Sequence, residues 1–275
     1  MKYAFMTMDI ESLYDIMVLK DRLKYDKEYS LEEGIKIYTD LLDKYNIKST
    51  LFLLNSSLDN SKDYLLNAIK NGHEIALHGL NHVSPLEDNN FKENIKLAKD
   101  NIENELNIKI KGYRAPCFGV NEDIINIIKE LDFKYDSSNL DFKDAIKSGK
   151  IDLNNYDKLN DNIHKNGNFY EYSLNKINFF GKIIPISGGA YIRLIPWFLL
   201  KHFVKKAIKK TDSYIFYVHP YELINKKLPK FKNLNFKEKL FLKIGRKTYI
   251  KKIEFIINYL KKQGFIFMTM NEYIK

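Results

Sequence analysis

A single cysteine, Cys117, excludes any internal disulfide framework from this chain of 275 residues. Long apolar runs are equally scarce. The nearest, Leu194 to Leu200, is broken by Pro196 and is far too short to cross a bilayer. A signal-peptide pattern is missing at the N-terminus, because the run Tyr3 to Met8 is short and ends on Asp9, so a soluble or at most membrane-peripheral cytoplasmic protein is expected. There is no internal repeat and no low-complexity linker. The aromatic-basic signatures of the common RNA modules are missing too, and nucleic-acid binding is not expected. A chain of this length with 45% apolar content can bury a full core, and one domain spanning residues 1–275 is expected.

Lysine is abundant. The net charge of +10 is concentrated between Lys201 and Lys262, where 18 Lys or Arg face only four acids, Asp212, Glu222, Glu238 and Glu254. Such a stretch is either a solvated basic face produced by compositional bias or a surface that meets phosphates or anionic membrane headgroups.

Strand-like and helix-like segments alternate, as parallel βα units require. Tyr3 to Ile10 reads as a strand. Ser30-Leu31-Glu32-Glu33 forms a capping box opening a helix to about Tyr45, and Ser49 to Leu54 is a second strand. Further along, Ser61 to Asn71 is helical, Glu74 to Leu77 extended, Glu87 to Leu106 a long helix, Ile110 to Tyr113 a short strand, Asn121 to Leu131 helical and Phe133 to Tyr135 extended. The polar stretch Asp141 to Gly167 reads as an irregular excursion. Regular structure resumes at Ile177 to Ile186. A basic helix runs from Trp197 to Lys210, Tyr214 to Val218 is an inner strand, Phe236 to Lys262 is mostly helical, and Phe265 to Met268 is a last strand before a short helix.

On this map the polar residues Asp9 and Glu11, His78, Arg114, Asp136 and His219 stand at or just past the C-terminal ends of five strands. That is the face on which parallel βα barrels build active sites. His78 and His82, four residues apart, form a bidentate metal clamp or a pair of satisfied histidines at a helix start. Asp9 and Glu11 share one face of a strand and either cap the next element or supply a metal ligand and a proton acceptor. Arg114 either holds the proton-accepting carboxylate through a forked pair of hydrogen bonds or makes an ordinary ion pair. His219 is either a core histidine or a general acid, and Asp136 either pairs with it to raise its pKa or serves a turn. Cys117 reads as packing, since no base stands near it in sequence.

The ordered segments Thr7-Met8-Asp9-Ile10-Glu11, Gly72 to His82, Gly112-Tyr113-Arg114-Ala115-Pro116, Phe133 to Ser138 and Val218-His219-Pro220 resemble the five motifs of the polysaccharide deacetylase family (NodB-homology domain, carbohydrate esterase 4) over nearly the whole chain. The resemblance implies an α/β fold, a distorted (β/α)7-type barrel. It also implies a divalent metal, usually zinc, held by His78 and His82, with Asp9 as general base oriented by Arg114 and His219 as general acid supported by Asp136. Many members have two adjacent aspartates where this chain has Asp9-Ile10-Glu11. In members with a spaced acidic pair the second acid ligates the metal, which makes Glu11 the third ligand. The aromatic residue that often follows the fourth motif is missing.

The implied reaction is hydrolysis of an acetamide on an amino sugar, with metal and a backbone amide near Cys117 stabilising the oxyanion. Ser187 to Pro196 resembles a stretch of members encoded with bacterial exopolysaccharide or lipopolysaccharide genes, and on residues alone is a glycine turn entering a helix. With the basic C-terminal third, it suggests a nucleotide- or polyprenyl-phosphate-linked substrate and peripheral contact with an anionic membrane. The alternatives are a deformylase of a lipid-linked amino sugar or a small-amide hydrolase on the same fold, and a non-catalytic barrel binding a glycan or a polyanion.

Overall fold

In the strand β1 (Lys2–Ile10), successive side chains separate into two sets. Ala4, Met6, Met8 and Ile10 pack outward in a large apolar cluster, whereas Phe5 joins a second cluster with Phe52, Ala76, Ile215 and Tyr217. The first cluster lies between sheet and helices, the second inside a barrel. Extending the inner parity along each strand leads from Phe5 through Thr7 to Asp9, from Ala76 to His78, and from Tyr217 to His219. The last inward rung is thus polar, above lower rungs that are apolar apart from Thr7.

These statements rest on a computed structural model that describes residues 1–15, 31–140, 149–179, 181–229 and 234–275. Along the chain follow α1 (Leu31–Lys44), β2 (Ser49–Leu54), α2 (Leu58–Lys70), β3 (Glu74–Gly79), α3 (Phe91–Leu106), β4 (Gly112–Tyr113), α4 (Glu122–Glu130) and β5 (Tyr135–Asp136). Next come β6 (Asp157–Asn160), β7 (Ile163–Asn166), β8 (Phe169–Tyr172), β9 (Lys176–Phe179), β10 (Lys182–Pro185), α5 (Gly189–Leu194), α6 (Trp197–Lys210) and β11 (Ser213–Val218). The chain ends with α7 (Pro220–Leu223), α8 (Phe236–Lys243), α9 (Arg246–Lys262), β12 (Phe265–Phe267) and α10 (Met270–Tyr273).

The sheet order is β11-β1-β2-β3-β4-β5-β8-β7-β6, with β12 also paired to β1. From β11 to β8 all neighbours run parallel, giving the distorted (β/α) barrel. Between β8 and β11 the barrel is closed by side chains: the amides of Asn162 and Asn175 donate to the Ser213 carbonyl at 2.8 and 2.9 Å, and the Asn175 side-chain oxygen accepts from Ile215 N–H at 2.7 Å. One backbone bridge, Gly188 to Tyr217, adds to it. Gly188 has φ of 140°, and a Cβ there would stand 1.8 Å from the Tyr217 carbonyl oxygen, so only glycine fits. Below, α10 plugs the barrel through buried Met270, whose carbonyl accepts from the Tyr172 hydroxyl at 2.9 Å.

Two expectations are corrected. The stretch that read as irregular, where described, contains β6 and β7, an antiparallel extension reached through β8. Its strands are solvated, so they lack the apolar alternation that reveals a strand; Asp141 to Ser148 lie outside the described residues. The long third helix begins at Phe91, after a short 3-10 turn over Pro85–Glu87. Ile244 and Gly245 divide the C-terminal helical stretch, Gly245 having φ of 80°. Ser30 of the capping box lies outside the described residues. Among the described residues no helix is long and apolar enough to cross a membrane.

Candidate metal centre and hydrolytic site

Asp9, Glu11, His78, His82 and His219 line one cavity of about 260 Å3 at the C-terminal mouth of the barrel, with Cys117, Tyr191, Tyr217 and Phe241 in its walls. β1 delivers Asp9 and, one step past its end, Glu11; β3 delivers His78; β11 delivers His219. His82 returns on the loop after Gly79, whose φ of 142° suits glycine at the turn.

One ligand atom from each of Glu11, His78 and His82 lies within 4.8 Å of the other two. Glu11 Oε2 stands 2.6 Å from His82 Nε2 and 3.8 Å from His78 Nε2. The Arg114 carbonyl lies 2.8 Å from His78 Nδ1. Since a carbonyl only accepts, Nδ1 carries the proton and the Nε2 lone pair faces Glu11, the orientation that a metal-ligating histidine needs. Two imidazoles and a carboxylate with an open side fit a divalent cation of the zinc kind. Burial would raise the Glu11 pKa, but the charges of His82 and His219 outweigh it and hold the carboxyl well below its usual range. His82 is raised in turn: burial works against its charge, and Glu11 overrides that.

Arg114, fully buried, presents Nη1 to Asp9 Oδ1 at 2.7 Å and to Thr7 Oγ1 at 2.8 Å. Nε and Nη2 are spent on the carbonyl and hydroxyl of Ser137 at 3.0 and 2.8 Å, and the guanidinium lies 4.1 Å from the Phe52 ring centre. Arg114 therefore holds Asp9, but through a single nitrogen; the expected fork is absorbed by Ser137.

The expected partner of His219 is corrected. Asp136 accepts from Ser138 N–H and Oγ at 2.8 and 2.7 Å, and its strand neighbour is Glu171, with which it shares a buried, directly interacting carboxyl pair. The reason is geometric: β5 does not neighbour β11, and the Asp136 carboxyl is engaged by Ser138 beside Glu171 of β8. Glu222 takes the role, with Oε2 3.0 Å from His219 Nδ1 and Oε1 accepting from Arg193 Nε at 2.9 Å. Pro220 starts α7 directly after His219, so residue 222 falls within the first turn, beneath the imidazole, in a capping box. The spacing His219-Pro220-Tyr221-Glu222 carried this signal. Arg193, also fully buried, further donates to the Phe241 and Ile244 carbonyls.

Burial disfavours a charged His219, yet Glu11 and Glu222 lift its pKa to about 9, so the ring is an imidazolium at neutral pH. A cation on Glu11 would cancel that carboxylate's share and leave Glu222 as the principal partner. Glu222 itself is lowered: burial opposes its charge, and His219 and Arg193 outweigh this. Cys117 and Phe118, both with φ of 55°, make a strained turn after Pro116 at the cavity wall.

Comparison with known proteins gives two family matches: the family described as polysaccharide deacetylase over residues 22–135, and a domain of unknown function, DUF3473, over residues 146–275. A bifunctional xylanase/deacetylase of Pseudobutyrivibrio xylanivorans is 25% identical over 114 residues, 40% of this chain and 19% of that protein, so the chain spans about a fifth of that relative's length. A putative polysaccharide deacetylase structure from Mycobacterium smegmatis aligns with 98% of this chain and 94% of its own at a TM-score of 0.57 and 16% identity. The Puue allantoinase aligns over 99% and 88% at 0.63 and 13% identity. These structural likenesses concern the fold.

Proposed function

We propose, given that the chain belongs to the polysaccharide deacetylase family, that it hydrolyses the N-acetyl group of an amino sugar carried on a nucleotide or a lipid phosphate, in the cytoplasm, as a step of bacterial surface polysaccharide synthesis. The observation that carries the reading is the convergence of Asp9, His219 and the Glu11-His78-His82 group on one cavity.

Held by Glu11, His78 and His82, a zinc-type cation would supply Lewis-acid polarisation of the acetamide carbonyl. Asp9, aimed by Arg114 through Oδ1, takes a proton from the water that attacks that carbonyl. As the C–N bond breaks, the His219 imidazolium gives its Nε2 proton to the departing amine, while Glu222 stays on Nδ1 and fixes the ring. The products are acetate and the free amino sugar, and the backbone amide beside Cys117 is the proposed oxyanion donor. Tyr191 and Phe241 form apolar walls for a sugar ring.

The test is incubation of zinc-loaded protein with acetylated and formylated nucleotide sugars, lipid-linked sugars and small cyclic amides. Acetate release from an amino sugar supports the reading. Formate release or ring opening alone replaces it with a sister reaction at the same residues. Inactivity on all three classes in metal-replete protein removes it in favour of a binding role.

A further inference from the structure

Beside the site mouth lies a surface that, Phe241 apart, deacetylation does not use. The corner between α5 and α6, Leu194 to Trp197, faces the corner between α8 and α9, Ile244 to Lys251, across a cavity of about 510 Å3 with mainly apolar walls. On α6 and α8, the helices that adjoin these corners, large apolar side chains stand in solvent: Phe198 at the start of α6 is 71% exposed and Phe236 at the start of α8 is 77% exposed, with Trp197, Leu240, Phe241 and Ile244 also exposed. A short helix whose one buried side chain is Leu242 gains little by folding alone. Scattered exposed apolar residues need no explanation, but six on two elements that adjoin one apolar cavity do.

Lysines rim the group. Lys201 lies 4.9 Å from the Trp197 ring centre, and Lys237, Lys239, Lys243, Lys247 and Lys251 stand on or next to the same corners, with Glu238 the one acid between Asn235 and Lys252. Glu238 is occupied in the α8 capping box. Aromatic and aliphatic tips surrounded by lysines match the boundary of an anionic bilayer, where rings enter the headgroup layer and ammonium groups meet phosphates. A second copy of this chain would bring like charges together, and a nucleic acid would leave Leu240 and Ile244 unburied.

We propose that this face docks the protein on an anionic membrane surface. Phe241 belongs both to this face and to the site cavity, so docking brings the mouth to headgroup level; read with the proposed function, which this clause alone rests on, the membrane-borne substrate is then the lipid-linked one.

Trp197 is the one tryptophan in the sequence and reports directly. Full-length protein is titrated with phosphatidylglycerol vesicles, with phosphatidylcholine vesicles and with a thymidine oligonucleotide. The expected result is a blue shift of Trp197 emission on phosphatidylglycerol, quenching by acyl-chain bromines, partition about tenfold weaker on phosphatidylcholine, and no blue shift with the oligonucleotide. The pair Phe198→Ser and Phe236→Ser, at exposed positions, is expected to lower partition about tenfold with the thermal melt unchanged. Absence of acyl-chain quenching, an equal response to the oligonucleotide, a vesicle-independent shift that grows with protein concentration, or wild-type partition of the double variant would each overturn the proposal. Asp9→Asn should bind vesicles as the parent does, so loss of the hydrolytic reading leaves this result standing, and the reverse.

Discussion

Glu222 Oε2 stands 3.0 Å from Nδ1 of His219, and Oε1 of the same carboxyl lies 2.9 Å from Nε of Arg193. Replacing Glu222 by Gln keeps the volume and removes the charge. The imidazolium loses the partner that favours it, so its pKa falls. The expected outcome is an alkaline limb of the kcat/KM profile displaced toward acid by about one pH unit, with kcat reduced about tenfold or more and KM little changed. An unmoved limb would separate Glu222 from the acid step.

Asp9 and the Glu11-His78-His82 group are expected to divide cleanly. Asp9→Asn should retain one bound metal by elemental analysis while kcat falls roughly 100- to 10,000-fold. His78→Ala should lose the metal. Binding to the folded form alone stabilises it by about 2.7 kcal/mol at a hundredfold excess over Kd, so chelation should lower the parent's melting temperature and leave that of His78→Ala unchanged.

The Asp136 and Glu171 carboxyls are both fully buried neighbours on β5 and β8. Burial, then the Asp136 charge, pushes the Glu171 carboxyl well above its ordinary 4.5, so Glu171 keeps a proton that the unfolded chain releases. A raised folded pKa contributes stability that is present below 4.5 and lost as pH rises toward the folded value. Glu171→Gln fixes the protonated shape. Its urea midpoint should therefore fall less than the parent's between pH 5 and pH 8, and parallel curves would contradict a proton retained on Glu171.

Arg193 ties Glu222 to the carbonyls at the end of α8. Arg193→Met removes one of the two cations that hold the buried Glu222 carboxylate, leaving His219, and is expected to cost at most about 3–5 kcal/mol by chemical denaturation. Adding Glu222→Leu should recover part of that, because the under-compensated charge is then gone; no recovery would assign the loss to the α8 carbonyls instead.

The inner strands and their polar ends were legible because burial on both faces makes β1, β3 and β11 continuous apolar runs that stop abruptly at Asp9, His78 and His219. The basic helix Trp197–Lys210 was equally plain from its apolar stripe. Solvated β6 and β7 were not, since neither of their faces is predominantly buried. At the site, residue identity located Arg114 but not how its nitrogens are shared, which depends on Ser137 approaching from the next strand. Asp136 misled for a related reason: a strand-end carboxylate points into the barrel, and sequence does not say which wall it faces. The partner of His219 lay three residues away, where a proline fixed the helical turn.

The asparagine amides that reach β11, Asn162 from the turn between β6 and β7 and Asn175 from the segment after β8, carry a structural corollary. A continuous backbone ladder locks the facing of every residue, so gaining or losing one inverts the rest of the strand. Reaching across with Asn162 and Asn175 avoids that parity. The hairpin of β9 and β10 can then grow, shrink or be exchanged while Tyr217 and His219 keep their orientation.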